Sequence, residues 1–165
     1  MKQHHIALLI LATFTFAFPG QIAFAQEGLT AKSFEGVWKI TKVVKAGVTN
    51  NNPQPGLTIF SHGYFTLIRV NSNEARQPSP TPKDPAKLTD AEKIARYDEW
   101  APFTASAGTY EVKGNKLIAH IVVAKAARNM TLSEEVTIKF EGDTFVASSP
   151  PGSPNNEQTT YTRVR

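Results

Sequence analysis

The sequence predicts an all-β protein with one helical insertion, an eight-stranded antiparallel up-and-down barrel. Eight segments have the length and apolar alternation of strands, and glycine-containing dipeptides predict tight turns between several of them. The 165 residues include 11 Pro, 10 Gly and 10 Phe, which suits short strands and turns better than a helix bundle. A β-sandwich of the same strands is the alternative architecture.

The predicted strands alternate apolar and polar side chains. They cover residues 34–45, 57–61, 64–71, 108–113, 116–124, 131–141, 144–148 and 157–164. Two-residue turns are predicted at His62-Gly63, Gly114-Asn115 and Gly142-Asp143. The strand 131–141 has apolar side chains on one face: Leu132, Val136, Ile138 and Phe140. This pattern indicates a sheet with one buried and one solvent-exposed face. The Gly142-Asp143 turn should place Phe140 opposite Phe145.

One segment has helical rather than strand periodicity. Thr89 is predicted as an N-cap, with Glu92 completing a capping box. A helix is expected from Asp90 to about Ala101, where Pro102 ends it. With the Pro-rich loop before it, this helix forms a predicted insertion over residues 72–105.

The N-terminus has the layout of a secretory signal peptide. Lys2 precedes the uncharged run Ile6–Phe18, and Ala23-Phe24-Ala25 provides a small–x–small cleavage site. That run is shorter than the roughly 20 residues that a membrane-spanning helix needs. We therefore expect cleavage after Ala25 and a periplasmic or secreted protein with no stable membrane anchor. The remainder divides into a flexible tail, 26–32, and a barrel domain, 33–165.

Composition excludes several kinds of chemistry. The chain has no cysteine, which removes disulfides, thiol catalysis and cysteine-ligated metals. Basic residues are scattered among acidic ones, so no nucleic-acid partner is predicted. Nucleotide-binding glycine loops and catalytic sequence motifs are missing from the sequence, and its histidines have no metal-ligand spacing. We predict no catalytic set, no metal and no cofactor.

Several motifs together resemble one known family. Gly36-Val37-Trp38 matches the Gly-x-Trp that opens lipocalin barrels. A basic residue, Arg163, lies on the last predicted strand, where such barrels commonly have one. The segments 55–60 and 106–112 also resemble strands of the bacterial and fungal lipocalin-like domain family. The resemblance implies a lipocalin-like barrel with a helical insertion, and it implies no reaction. It also implies that Gly36, Trp38 and Arg163 form the barrel floor, with the guanidinium stacked on the indole.

Arg69 is the most suggestive candidate for ligand binding. It shares a face with Phe65 and Leu67, and across the predicted turn with Phe60. If that face points inward, Arg69 is a cation in an apolar cavity that needs a partner, such as the carboxylate of a ligand. In the opposite orientation, Tyr64 faces the interior and Arg69 is solvated.

Three further residues complete the predicted ligand-binding set. Tyr110 is a polar candidate on the strand after the insertion. A strict two-residue turn places His120 outside with Glu111, whereas a bulge would turn it inward. Trp100 ends the predicted helix, where it either docks the helix or forms part of an aromatic lid at the mouth.

These observations favour an exported barrel that carries a small hydrophobic or amphipathic molecule. The alternative is an isomerase or cyclase that acts on a hydrophobic substrate in the cavity, with Arg69, Tyr110, Glu111 and His120 as its polar groups. A third hypothesis is that the outer face around Ile118 and Val122 binds another protein.

Overall fold

The structure, a computed structural model, describes residues 28–154 and 156–165. In these residues the α-helices are α1 (Ala31–Phe34) and α2 (Asp90–Trp100). The strands are β1 (Gly36–Lys45), β2 (Val48–Asn50), β3 (Gly56–Ser61), β4 (Tyr64–Val70), β5 (Phe103–Lys113), β6 (Lys116–Ala124), β7 (Ser133–Glu141), β8 (Thr144–Ser148) and β9 (Glu157–Arg163). The predicted signal peptide, residues 1–25, lies outside the described residues.

Eight of these strands close into an antiparallel barrel. From β3 to β9 each strand pairs with the next one in the chain, and β1 pairs with both β3 and β9. The short strand β2 continues beside the far end of β1. The predicted eight-stranded up-and-down barrel is confirmed, and it has the strand count and order of lipocalins. The β-sandwich alternative is wrong, because the pairing of β1 with β9 joins the two edges of the sheet.

Tight turns connect the strands at one end of the barrel. Ser61 pairs with Tyr64 across the predicted His62-Gly63 turn, and both turn residues have positive φ angles, 50° and 81°. That conformation suits glycine and matches the twist of the two strands. The predicted pairing of Phe140 with Phe145 is also present, so their rings lie on the same face of the sheet.

The tight-turn end of the barrel is the floor, and a helical turn covers it. Phe34 in α1 and Trp38 in β1 are fully buried there, among the rings of Phe60, Phe140 and Phe145. Of the predicted tail 26–32, residues 26 and 27 lie outside the described residues, and the last two belong to α1 rather than to a flexible tail. The helix forms there because aromatic packing and floor hydrogen bonds hold this segment.

One bulge determines which side chains of β6 face outward. The pairing register between β5 and β6 shifts between Ala107 and Gly108. At this point β6 contains one residue that has no partner in β5. The shift lies beyond His120, which pairs with Thr109 as the strict two-residue turn predicts. The backbones approach closely here, because a Cβ on Gly108 would lie 1.9 Å from the carbonyl oxygen of His120.

The insertion between β4 and β5 contains the predicted helix. The backbone N–H of Glu92 donates to Thr89 Oγ1 at 3.3 Å, and the Thr89 N–H donates to the Glu92 carboxylate at 2.7 Å, which completes the capping box. β5 begins at Phe103, two residues before the predicted end of the insertion and five before the predicted start of this strand at residue 108. Helix α2 has no buried residue. None of the helices within 28–154 and 156–165 has the length and apolar character to cross a bilayer.

Candidate functional site

The barrel interior contains a chamber that opens at the end opposite the floor. This end, the mouth, carries the long connections between strands, including the α2 insertion. The chamber has a volume of about 120 Å³, and most of its lining is apolar. Four aromatic residues line it: Phe60, Phe65, Phe145 and Tyr161. Its polar lining residues are Thr58, Ser106 and Glu134.

Two wider basins lie above the chamber at the mouth. The first, the β9-side basin, measures about 550 Å³ and is bordered by Arg69, Glu157 and Tyr161. The second, the helix-side basin, measures about 420 Å³ and lies beside α2. Leu67 and Glu134 border the chamber and both basins, so the three spaces meet around these two side chains. Each basin alone has the size of an ordinary ligand pocket, about 300–1,000 Å³.

Arg69 faces the interior, with its guanidinium held by Glu157. Nη1 donates to Glu157 Oε1 at 2.7 Å and Nη2 donates to Oε2 at 3.2 Å, a two-pronged ion pair. The third donor, Nε, bonds to the side chain of Asn71. Both charged side chains are mostly buried, 19% and 16% exposed. The chain itself therefore supplies the carboxylate that was expected from a ligand.

The ion pair also changes the acidity of Glu157. Burial by itself raises the pKa of this carboxyl, but the hydrogen bonds and positive charge of Arg69 outweigh burial and place the pKa below its ordinary value. A hydrogen bond of 3.0 Å from Thr159 Oγ1 acts in the same direction. Glu157 is consequently ionised at neutral pH and remains the partner of Arg69.

The remaining predicted ligand-binding residues do not form one site. Phe60 lines the chamber, whereas Tyr64 lies on the outer wall and is 64% exposed. Tyr110 is buried near the floor, where its hydroxyl donates to the carbonyl of Ala31 at 2.9 Å. Burial raises the pKa of this hydroxyl, which stays protonated. Tyr110 thus anchors α1.

His120 lies on the outer wall of the barrel. Its Nδ1 is 2.8 Å from Ser133 Oγ, and its Nε2 is 3.4 Å from a carboxylate oxygen of Glu111. The bulge that would have turned His120 inward falls after it, so the side chain does not reach the chamber. The four polar groups of the enzyme hypothesis are consequently divided by the sheet, with Arg69 and Tyr110 inside and the other two outside.

Trp100 lies at the end of α2, outside the chamber. Its ring meets Phe103 edge-on, with centroids 5.3 Å apart, and the guanidinium of Arg76 lies over both rings. The Lys125 ammonium group binds the carbonyl oxygens of Trp100, Ala101 and Phe103 at the end of the helix. These contacts fix the helix end beside the mouth. The aromatic residues that border the helix-side basin are Tyr97 and Phe103, not Trp100.

The floor residues form a compact group. The Arg163 guanidinium carbon lies 4.1 Å from the centroid of the Trp38 ring, and the Trp38 indole N–H donates to the Phe34 carbonyl at 2.6 Å. Arg163 also donates to the carbonyls of Ser33 and Glu35. Gly36 has a φ of 121°, and a Cβ there would lie 2.9 Å from the guanidinium. The close packing of these groups leaves Trp38 outside the chamber.

Two inward-facing acidic residues of the cavity were missing from the sequence-based set. Glu157 is 88 residues from Arg69 in the chain, and no local pattern indicates that they meet. Glu134 could have been found, because it lies two residues before the inward-facing Val136 in β7 and so has the same orientation. Within the part of the chain that the structure describes, no group of three or more His, Asp or Glu side chains could hold a metal ion.

Comparison with known proteins gives similarity only at the level of solved structures. No protein-family model matches the sequence, and no curated protein matches it. A lipocalin-like protein from Bacteroides uniformis ATCC 8492 has a TM-score of 0.47 and 11% identity, covering 79% of this chain and 98% of that one. An uncharacterised protein from Bacteroides eggerthii DSM 20697 has a TM-score of 0.46 and 8% identity, covering 79% and 99%. A redesigned β-barrel has a TM-score of 0.42 and 13% identity, covering 82% and 96%.

Similarity at this level assigns no residue role to this chain. The fold assignment rests on the strand pairing itself, which closes eight antiparallel strands into one ring.

Proposed function

We propose that this protein binds a small hydrophobic or amphipathic molecule inside its barrel and acts as a carrier. One observation supports this above all: a mostly apolar chamber opens to the mouth through basins with polar borders. Such a cavity buries the apolar part of a ligand and meets its polar part at the rim. The polar groups of the barrel do not converge on one point, which favours binding over catalysis.

The expected affinity follows from the length of the hydrocarbon chain that the cavity and its mouth can bury. Burial of hydrocarbon contributes about 0.8 kcal/mol per CH₂ group. A hexyl chain therefore contributes roughly 5 kcal/mol, which corresponds to a Kd of about 0.1–1 mM. Ligand at roughly 10 mM would then stabilise the folded state by about 1.4–2.7 kcal/mol and raise Tm by several degrees.

A pair of variants tests whether the chamber is the binding site. Ala119 lines the chamber, and Ala119→Leu fills part of it. Ala107 pairs with Thr66 and Val123 on the outer wall, so Ala107→Leu adds the same atoms outside. We expect hexanol, hexylamine or hexanoate to raise Tm in the parent protein and in Ala107→Leu, and to have no effect on Ala119→Leu. The proposal would be contradicted if none of the three compounds changed the Tm of the parent protein. It would also be contradicted if they raised the Tm of Ala119→Leu as much as that of the parent protein.

We also propose that the chain is exported and that cleavage after Ala25 leaves it without a stable membrane anchor, in the periplasm or outside the cell. The support is the sequence layout, a basic start, an uncharged run and a small–x–small site. N-terminal sequencing of the protein from its own host should begin at Gln26. Recovery of an uncleaved chain beginning at Met1 would contradict this.

A further inference from the structure

Glu134 is a solvent-exposed carboxylate at the rim of the cavity, without a cationic partner in the described part of the chain. It lies on the inner face of β7, pairs across the sheet with Ala119, and borders the chamber and both basins. Among residues 28–154 and 156–165, no cation lies within 4.0 Å of its carboxylate oxygens. Its neighbour in sequence, Glu135, is paired with Lys116 at 2.7 Å on the outer wall.

The cation inside the barrel is already neutralised. Three of the five N–H donors of the Arg69 guanidinium are in use, two on Glu157 and Nε on Asn71, so a ligand carboxylate would compete with a carboxylate already bound. Two cations, Lys125 and Arg128, border the helix-side basin, and Lys125 binds the carbonyls at the end of α2. The charged groups that border the chamber and the β9-side basin, in contrast, have an excess of negative charge. An anionic ligand meets repulsion there, and a cationic one meets attraction.

The lining of the chamber also fits a cation. Four aromatic rings line it, and the faces of aromatic rings attract ammonium groups, most strongly where water is excluded. Thr58 supplies a second feature, because it is 4% exposed and its hydroxyl group lies beside that of Tyr161. Burial raises the pKa of Tyr161, whose hydroxyl stays neutral and offers another oxygen acceptor. An ammonium group has three N–H donors and no acceptor, so these oxygen atoms can accept its hydrogen bonds.

From these observations we infer that the ligand is an amphipathic amine, with an ammonium group attached to a small apolar body. The ammonium group pairs with Glu134 at the top of the chamber, next to the aromatic rings. The chamber of about 120 Å³ accepts only a small part of the ligand, so the rest of the apolar body extends into a mouth basin. The inference rests on the proposed function, and it adds the charge and chemical class of the bound molecule.

The test compares three ligands with the same chain and different head groups. Hexylammonium, hexanol and hexanoate are titrated into the purified protein at pH 7, with affinity measured by calorimetry and Tm. We expect hexylammonium to bind about tenfold more tightly than hexanol, since a hydrogen-bonded charge pair adds to the same apolar burial. Hexanoate should bind more weakly than hexanol.

Two variants assign the effect to Glu134. Glu134→Gln removes the charge and keeps the shape, and we expect it to weaken hexylammonium binding about tenfold while hexanol binding stays within twofold. The control, Glu141→Gln, removes an exposed carboxylate from the floor end of the same strand and should change neither. Equal affinities for the three ligands, preference for hexanoate, or no effect of Glu134→Gln would overturn the amine assignment and leave the carrier proposal intact. Failure of all three ligands to bind would overturn both.

Discussion

The pair formed by Arg69 and Glu157 gives the sharpest energetic prediction. It joins the end of β4 to the start of β9 at the mouth, on the inner wall of the barrel. Arg69→Met leaves a mostly buried carboxylate without its cation, and Glu157→Met leaves a mostly buried guanidinium without its anion. The double variant removes both charges and keeps side chains of similar length.

The expected magnitudes follow from the burial of the pair. Breaking a fully buried ion pair costs about 3–5 kcal/mol, whereas replacement of both partners by apolar groups is often neutral or stabilising. Each side chain here retains some exposure, 19% and 16%, so we expect each single variant to lose about 2.5 kcal/mol. The double variant should still lose about 2 kcal/mol, because the side chains of Asn71 and Thr159 also lose their hydrogen-bond partners, and this gives a coupling energy of about 3 kcal/mol.

The pair also makes stability depend on pH in a defined direction. The pKa of Glu157 is lower in the folded state than in the unfolded state, so its stabilising effect is complete above the unfolded pKa. The effect is lost as pH falls through the folded pKa. The parent protein should therefore lose more stability between pH 7 and pH 3 than Glu157→Met does, since the other carboxylates are common to both.

Urea unfolding followed by circular dichroism measures both effects. The four proteins of the cycle are compared at pH 7, and the parent protein and Glu157→Met are compared again in acid. If the losses in unfolding free energy of the two single variants add up to the loss of the double variant, the two side chains act independently and the argument is refuted. An acid loss in Glu157→Met as large as that of the parent protein would refute the pH argument.

Two further predictions concern packing. Gly108→Ala should lose about 3 kcal/mol or more in urea unfolding, because its Cβ would meet the backbone carbonyl of His120, and a loss below 1 kcal/mol would mean that the bulge relaxes freely. Arg163→Met should lose about 1–3 kcal/mol with its carbonyl bonds and its contact with Trp38, while the exposed control Arg165→Met stays within about 0.5 kcal/mol. Equal losses in the two arginine variants would contradict the role given to the floor.

Several features of this protein follow from residues close together in the chain. Thr89 and Glu92 are three residues apart, and their capping box forms as the sequence predicts. The two-residue turn after Lys113 determines that Tyr110 pairs with Ala119. Alternation then orients whole strands, because successive side chains of a strand point to opposite faces. Local geometry is sufficient for these features, since each depends on a few neighbouring backbone angles.

The orientation of β4 shows where local reasoning reaches its limit. Alternation places Arg69 on the same face as Phe65 and opposite Tyr64, but it does not show which face is inside. Closure of the barrel decides this: Phe65 joins the buried core, whereas Tyr64 and Ile68 stay exposed on the outer wall. The outer position of His120 depended in the same way on whether the bulge came before or after it.

The sequence by itself determined the eight barrel strands, their turns, the capped helix and the order of pairing, but it missed β2 and the first five residues of β5. Only the tertiary structure decided that Glu157 reaches Arg69 across 88 residues, that Glu134 remains unpaired in the described cavity wall, and that α1 covers the floor. The physical reason is that hydrogen-bond periodicity and turn geometry act over a few residues. A contact across the barrel depends on how all eight strands tilt and stagger when the ring closes.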